Sequence, residues 1–104
     1  MYVSCGRLVV LRYQLRNGTF NQEMQAFDKV FITSEEFEGN ASVMKYDENQ
    51  EKVILEGTDG NLARLIRVKN TGGEREEITA KKITYYRRTG TFEAPGSQSI
   101  RAIN

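Results

Sequence analysis

The 104 residues predict an all-β, antiparallel fold, a twisted jellyroll or a curved two-layer sheet built from repeated hairpins. Three observations carry that expectation. Short segments rich in Val, Ile, Tyr, Phe and Thr are separated by turn residues such as Asn17-Gly18 and Asp59-Gly60, at antiparallel spacing. No window sustains a helical period, and the best candidate, Asn21 to Phe27, is short and flanked by turn residues. A hairpin-sized pattern also recurs: Ala41 and Ala80, Met44 and Ile83, Tyr46 and Tyr85, Val53 and Phe92, and Gly57 and Gly96 are each 39 residues apart.

Taken in order, Arg7 to Arg16 reads as the first strand, with Val9, Leu11, Tyr13 and Leu15 on one face. Asn17-Gly18 closes it with a dipeptide suited to positive φ. Ala26 to Thr33 is the second strand. Ser34-Glu35-Glu36 breaks it, and with Phe37 is long enough for one helical turn. Ala41 to Tyr46 and Glu51 to Glu56 form a hairpin around a polar turn at Asp47-Glu48-Asn49-Gln50. Asp59-Gly60-Asn61 leads into Leu62 to Lys69, and Asn70-Thr71-Gly72-Gly73 returns the chain through Glu76 to Ala80. Ile83 to Arg87, Arg88-Thr89-Gly90 and Thr91 to Ala94 make another hairpin. Pro95 follows a strand, where its missing N–H costs no ladder bond. Gln98 to Ile103 reads as the last strand.

The repeat units are thus 41–57 and 80–96, each an Ala, two residues, an apolar residue, one residue and a Tyr, then a turn, a strand and a Gly. Hairpins of this size bury their apolar faces only by stacking or by folding over on one another. Residues 1–104 read as a single domain, free-standing or part of a longer protein.

Composition narrows the chemistry. Fifteen basic residues face fourteen acidic ones, a balance that argues against a general polyanion binder. The absence of histidine excludes Ser-His-Asp triads, Cys-His dyads and histidine metal sites within the chain. One cysteine, Cys5, excludes an internal disulfide and a cysteine-rich zinc site. Leu8-Val9-Val10-Leu11 is the longest aliphatic run, so neither a signal peptide nor a transmembrane segment is expected in these residues. Asp47, Glu48 and Glu51 lack calcium-loop spacing and read as a solvated turn. No metal, cofactor or catalytic residue is expected.

Several strands are apolar on both faces. Phe27 and Phe31 oppose Val30 and Ile32, and Val53 and Leu55 oppose Ile54. Two-sided burial, a bulge that switches faces, or an exposed apolar lining would each explain it. Arg64, Arg67 and Lys69, with Lys81, Lys82, Arg87 and Arg88, read as a solvated face balanced by Glu74, Glu76 and Glu77. Their alternative use is on lipid phosphates, or on a single-stranded nucleic acid stacked on Tyr85 and Tyr86.

Phe37 to Asp47 followed by Val53 to Gly57, and Ile78 to Tyr85 followed by Gly90 to Gly96, resemble the OstA-like family of lipopolysaccharide-transport domains, which includes LptA, LptC and LptD domains. Tyr86 stands where the family often has Asp. The resemblance implies a non-catalytic lipid-binding and transport domain of a bacterial envelope or periplasm. It also implies an acylated lipid such as lipopolysaccharide as ligand and β-edge pairing with neighbouring OstA-like domains. Nucleic acid is not expected as a partner. The candidate apolar lining is Val9, Leu11, Tyr13, Phe31, Met44, Tyr46, Val53, Leu55, Ile66, Ile83, Tyr85 and Phe92. The alternative to the lipid reading is a structural β-edge interaction module without a ligand.

Overall fold

The computed structural model describes residues 1–58, 60–68, 74–96 and 99–103, the last five as backbone. They form ten strands: β1 (Tyr2–Ser4), β2 (Arg7–Gln14), β3 (Phe20–Thr33), β4 (Phe37–Asp47), β5 (Lys52–Glu56), β6 (Ala63–Val68), β7 (Arg75–Ala80), β8 (Lys82–Tyr86), β9 (Thr91–Glu93) and β10 (Ser99–Ile103). Every pairing is antiparallel, and the described residues contain no helix.

Pairing shows how so small a chain makes a core. The N-terminal half of β3 pairs with β2, and its C-terminal half with β1. β4 likewise pairs with β6 through Phe37–Asn40 and with β5 through Val43–Asp47. One sheet is therefore folded over along a corner line. The first layer runs β2, β3, β4, β5, β8, β9, and the second runs β1, β3, β4, β6, β7, β10.

Among the described residues the chain crosses this corner at Cys5-Gly6, Asp28-Lys29, Ser42, Gly57-Thr58, Lys81 and Pro95-Gly96. At the second crossing Asp28 and Lys29 form a bulge between the pairs Phe27–Val43 and Val30–Ala41, where β4 has only Ser42. Both bulge residues take positive φ, 66° and 52°. That local strain bends the strand and turns it into the second layer. Small side chains line the inside of the corner. Ala26, Ala63 and Ala80 are buried there, and Ala41 packs beside them.

The 39-residue repeat has a direct structural meaning. Ala41 and Ala80 stand at the corner; Met44 and Ile83, then Tyr46 and Tyr85, follow on the inner face of the first layer. The hairpins β4–β5 and β8–β9 lie side by side, joined by β5–β8 pairing that sets Leu55 opposite Ile83 and Val53 opposite Tyr85. Gly57 and Gly96 follow β5 and β9 of the first layer, and the next strands in sequence, β6 and β10, belong to the second. Between the layers lie Ala26, Val30, Ile32, Phe37, Met44, Val53, Leu55, Leu65, Ile78, Ile83 and Tyr85, all nearly inaccessible.

Three local expectations are corrected. The second strand, expected from Ala26, begins instead at Phe20, because β2 and β4 pair with its N-terminal half from both sides. Ser34 to Phe37 is a tight hairpin turn instead of a helical one. Ser34 Oγ accepts the N–H groups of Glu36 and Phe37, both at 3.2 Å, while Ser34 N–H donates to the Phe37 carbonyl at 2.8 Å. β4 starts at Phe37, four residues before the expected Ala41. β1 was not expected at all, since three residues carry little pattern without their partner Phe31–Thr33. The expected turns at Asp59 and Asn70-Thr71-Gly72-Gly73, and Lys69, lie outside the described residues.

Candidate functional site

The inner face of the fold is the only surface on which many of the predicted lining residues meet. Met44, Val53, Leu55, Ile83 and Tyr85 are buried there, and Tyr46 and Phe92 pack against them half-exposed. The other five candidates lie elsewhere. Val9, Leu11 and Tyr13 share the outer face of β2, shown by the pairs Val9–Gln25, Leu11–Glu23 and Tyr13–Asn21. Asn21 Nδ2 donates to the Tyr13 hydroxyl at 2.8 Å on that face. Phe31 and Ile66 are on the outer face of the second layer, because Ile32 and Leu65 take the inner positions.

The residues that face inward on β2 are Leu8 and Val10, opposite Ala26 and Met24. The Leu8-Val9-Val10-Leu11 run is apolar on both faces, so only the register against β3 separates lining from surface. One signal was available: counting in twos from the corner residue Gly6 reaches Leu8 and Val10. Leu8 is 50% and Val10 52% exposed, although both lie on the same face as the core. Nothing among the described residues covers them, because the second layer ends in the three-residue β1 while β2 runs for eight. The core is thus open at the β1–β2 end. There β1 and β2 each pair with β3 alone, leaving two strand edges without a partner among the described strands.

Opposite the corner the layers meet at two lips. The rings of Phe37 and Tyr85 touch across the gap, with centroids 4.6 Å apart and planes tilted by 46°. Arg67 reaches from the second layer to the first. Its guanidinium lies 4.7 Å from the Phe92 ring centre, donates through Nη1 to the Gly90 carbonyl at 2.8 Å, and pairs with Glu76 at 2.9 Å. Arg87 returns from the first layer, donating to the Tyr46 hydroxyl at 3.3 Å and standing 3.9 Å from Glu36. The Ser34 hydroxyl donates to Glu36 at 2.7 Å and, with help from the Arg87 charge, holds its carboxyl below the usual range. Burial pushes the Tyr85 phenol above its ordinary value.

The basic residues divide between faces, with Arg67, Arg87 and Arg88 together at the lips. Arg64 points outward and is forked onto Glu77, with Nε at 2.9 Å, whereas Arg67 points inward. Tyr85 is buried against Phe37 while its neighbour Tyr86 faces the other way, so the pair offers no shared stacking platform. The paired Tyr85–Tyr86 platform of the single-stranded nucleic-acid alternative is therefore not formed. Among the described residues, no three His, Cys, Asp or Glu side chains are placed to hold a metal ion. No helix there is long and apolar enough to cross a membrane.

What this arrangement can do is hold something apolar. It has a continuous apolar inner face, one uncovered end and two lips bridged by side-chain contacts. No curated protein matches the chain. Residues 6–91 match the family described as LptA/(LptD N-terminal domain) LPS transport protein. The match runs from the first corner crossing through both layers to the second repeated hairpin. Covering most of the chain and the folded-over sheet itself, it establishes that this protein belongs to the LptA/LptD N-terminal family of lipopolysaccharide-transport domains.

Proposed function

We propose that this domain is a non-catalytic carrier that binds the acyl chains of a lipopolysaccharide-type lipid between its layers in the bacterial periplasm. The observation that carries the reading is the uncovered stretch of inner face at Leu8 and Val10, continuous through Met24 and Ala26 with the core. Each methylene removed from water there contributes about 0.8 kcal/mol, so an acyl chain needs a lined slot and no reactive group. Side chains fill the space farther in. An acyl chain therefore seats first against β2 and advances as the layers part at the Phe37–Tyr85 contact. The free edges of β1 and β2 lie at the same end. A neighbouring domain paired there extends the slot and gives the lipid a continuous path.

The test is native mass spectrometry of the 104-residue chain with a lipid A-like glycolipid. Saturable adducts, lost in Val10→Asp while the melting temperature holds, support the carrier reading. A folded chain without adducts at high micromolar lipid refutes it. That result favours the second reading, a β-edge interaction module without ligand, which the filled interior and the unpaired eight-residue edge of β2 support.

A further inference from the structure

At the lips, outside the apolar slot, Glu36, Arg67, Val68, Tyr85, Arg87, Arg88, Thr89 and Gly90 line a polar cleft of about 370 Å³ that is open to solvent. Three guanidinium groups and one carboxylate face it. Two of the three are occupied: Arg67 is held by Glu76, Gly90 and the Phe92 ring, and Arg88 by Glu51 at 3.5 Å and the Asn49 carbonyl at 3.3 Å. Arg87 differs. Its Nη1 donates to Tyr46, but its Nε is buried without a hydrogen-bond partner, and its Nη2 stands 3.9 Å from Glu36, too far for a hydrogen bond.

Nε and Nη2 form one edge of the guanidinium, the fork that grips two oxygens of a single oxyanion. A buried cationic donor without an acceptor is costly, and an oxyanion at this edge removes the cost. Glu36 does not fill the role, because its carboxylate is half-exposed and turned to the Ser34 hydroxyl. We propose that the lip cleft is a binding site for a phosphate monoester, gripped by the Nε–Nη2 edge of Arg87 and flanked by Arg67 and Arg88. Arg87 is the one of the three whose charge no carboxylate grips closely, and the oxygens of a phosphate monoester match its fork.

The phosphate can belong to a lipid headgroup or be free in solution. The headgroup version rests on the carrier reading, since acyl chains in the slot leave the polar end of the lipid at the lips. The experiment is titration of the full chain, followed by NMR of the arginine Nε–H signals. The probes are inorganic phosphate, a bisphosphorylated acylated disaccharide, and the same lipid without phosphates. The expected result is a saturable shift of the Arg87 Nε–H with phosphate. The phosphorylated lipid should bind about tenfold more tightly than its dephosphorylated form, the scale of one charge-assisted fork. That preference should vanish in Arg87→Gln and increase in Glu36→Gln, a change at an exposed side chain that keeps the test valid should Arg87→Gln unfold. A shift with inorganic phosphate but no binding of either lipid upholds the site for free phosphate and refutes the carrier reading. Equal binding of both lipids with an unmoved Arg87 signal overturns the phosphate site and leaves the carrier reading standing.

Discussion

Gly57→Ala tests why the first repeat unit closes on glycine; its counterpart Gly96 has a different reason, a φ of +64° with open space around it. Gly57 does not occupy a positive-φ position, so freedom of φ is not the reason for it. A Cβ built there falls 1.9 Å from the Asn61 carbonyl oxygen and 3.0 Å from the Leu62 Cα. Contacts of real Cβ atoms essentially never fall below 3.0 Å, so backbone must retreat by about an ångström at the crossing from β5 to β6. Gly57 N–H also donates to the Lys81 carbonyl at 2.9 Å, tying two corner crossings together, so the shift spreads. Overpacking of this kind costs roughly 1–3 kcal/mol. For a domain of this length that lowers the melting temperature by on the order of 5–15 °C. Urea unfolding followed by far-UV circular dichroism measures it directly, with Gly60→Ala as a control whose added Cβ meets nothing but whose φ is +83°. A Gly57→Ala protein that melts within about 2 °C of wild type would refute the argument that close approach sets this glycine.

Leu55→Ala, at a fully buried site pressed between the layers, should destabilise the domain by about 3 kcal/mol without altering the fold, read from the urea midpoint. Glu77→Gln leaves the Arg64 fork without its charge partner on the outer face, and should cost about 1–2 kcal/mol by the same measurement. Tyr85 predicts the alkaline behaviour. Its phenol is held above the ordinary value of 10.0, so above that pH the unfolded chain loses the proton first and stability falls until the folded phenol also ionises. Tyr85→Phe should flatten that part of a melting-temperature profile, while Tyr2→Phe, at an exposed residue, serves as the comparison.

The strands, their turns and the repeat were legible in the sequence because they are local. Asn17-Gly18, the β-branched runs and the constant spacing of Ala, apolar residue, Tyr and Gly each state a conformation that neighbouring residues can satisfy. Met44, Val53, Leu55, Ile83 and Tyr85 were legible as sharing the inner face for the same reason, since alternation within a repeat unit puts them on one side. What alternation cannot state is which face is inside when both are apolar. On β2 that choice fell to the pairing with β3, which turned Leu8 and Val10 inward and Val9, Leu11 and Tyr13 outward. Asn21 to Phe27 became strand because β2 and β4 pair with it from both sides, a long-range gain that outweighs weak local preference. The fold-over itself depends on a two-residue bulge at Asp28-Lys29, whose side chains do not announce positive φ. The lip cleft depends on that fold-over too. Arg67 and Arg87 are twenty residues apart, in strand ends of different layers, and only the closing of one layer on the other brings their charges to a common space.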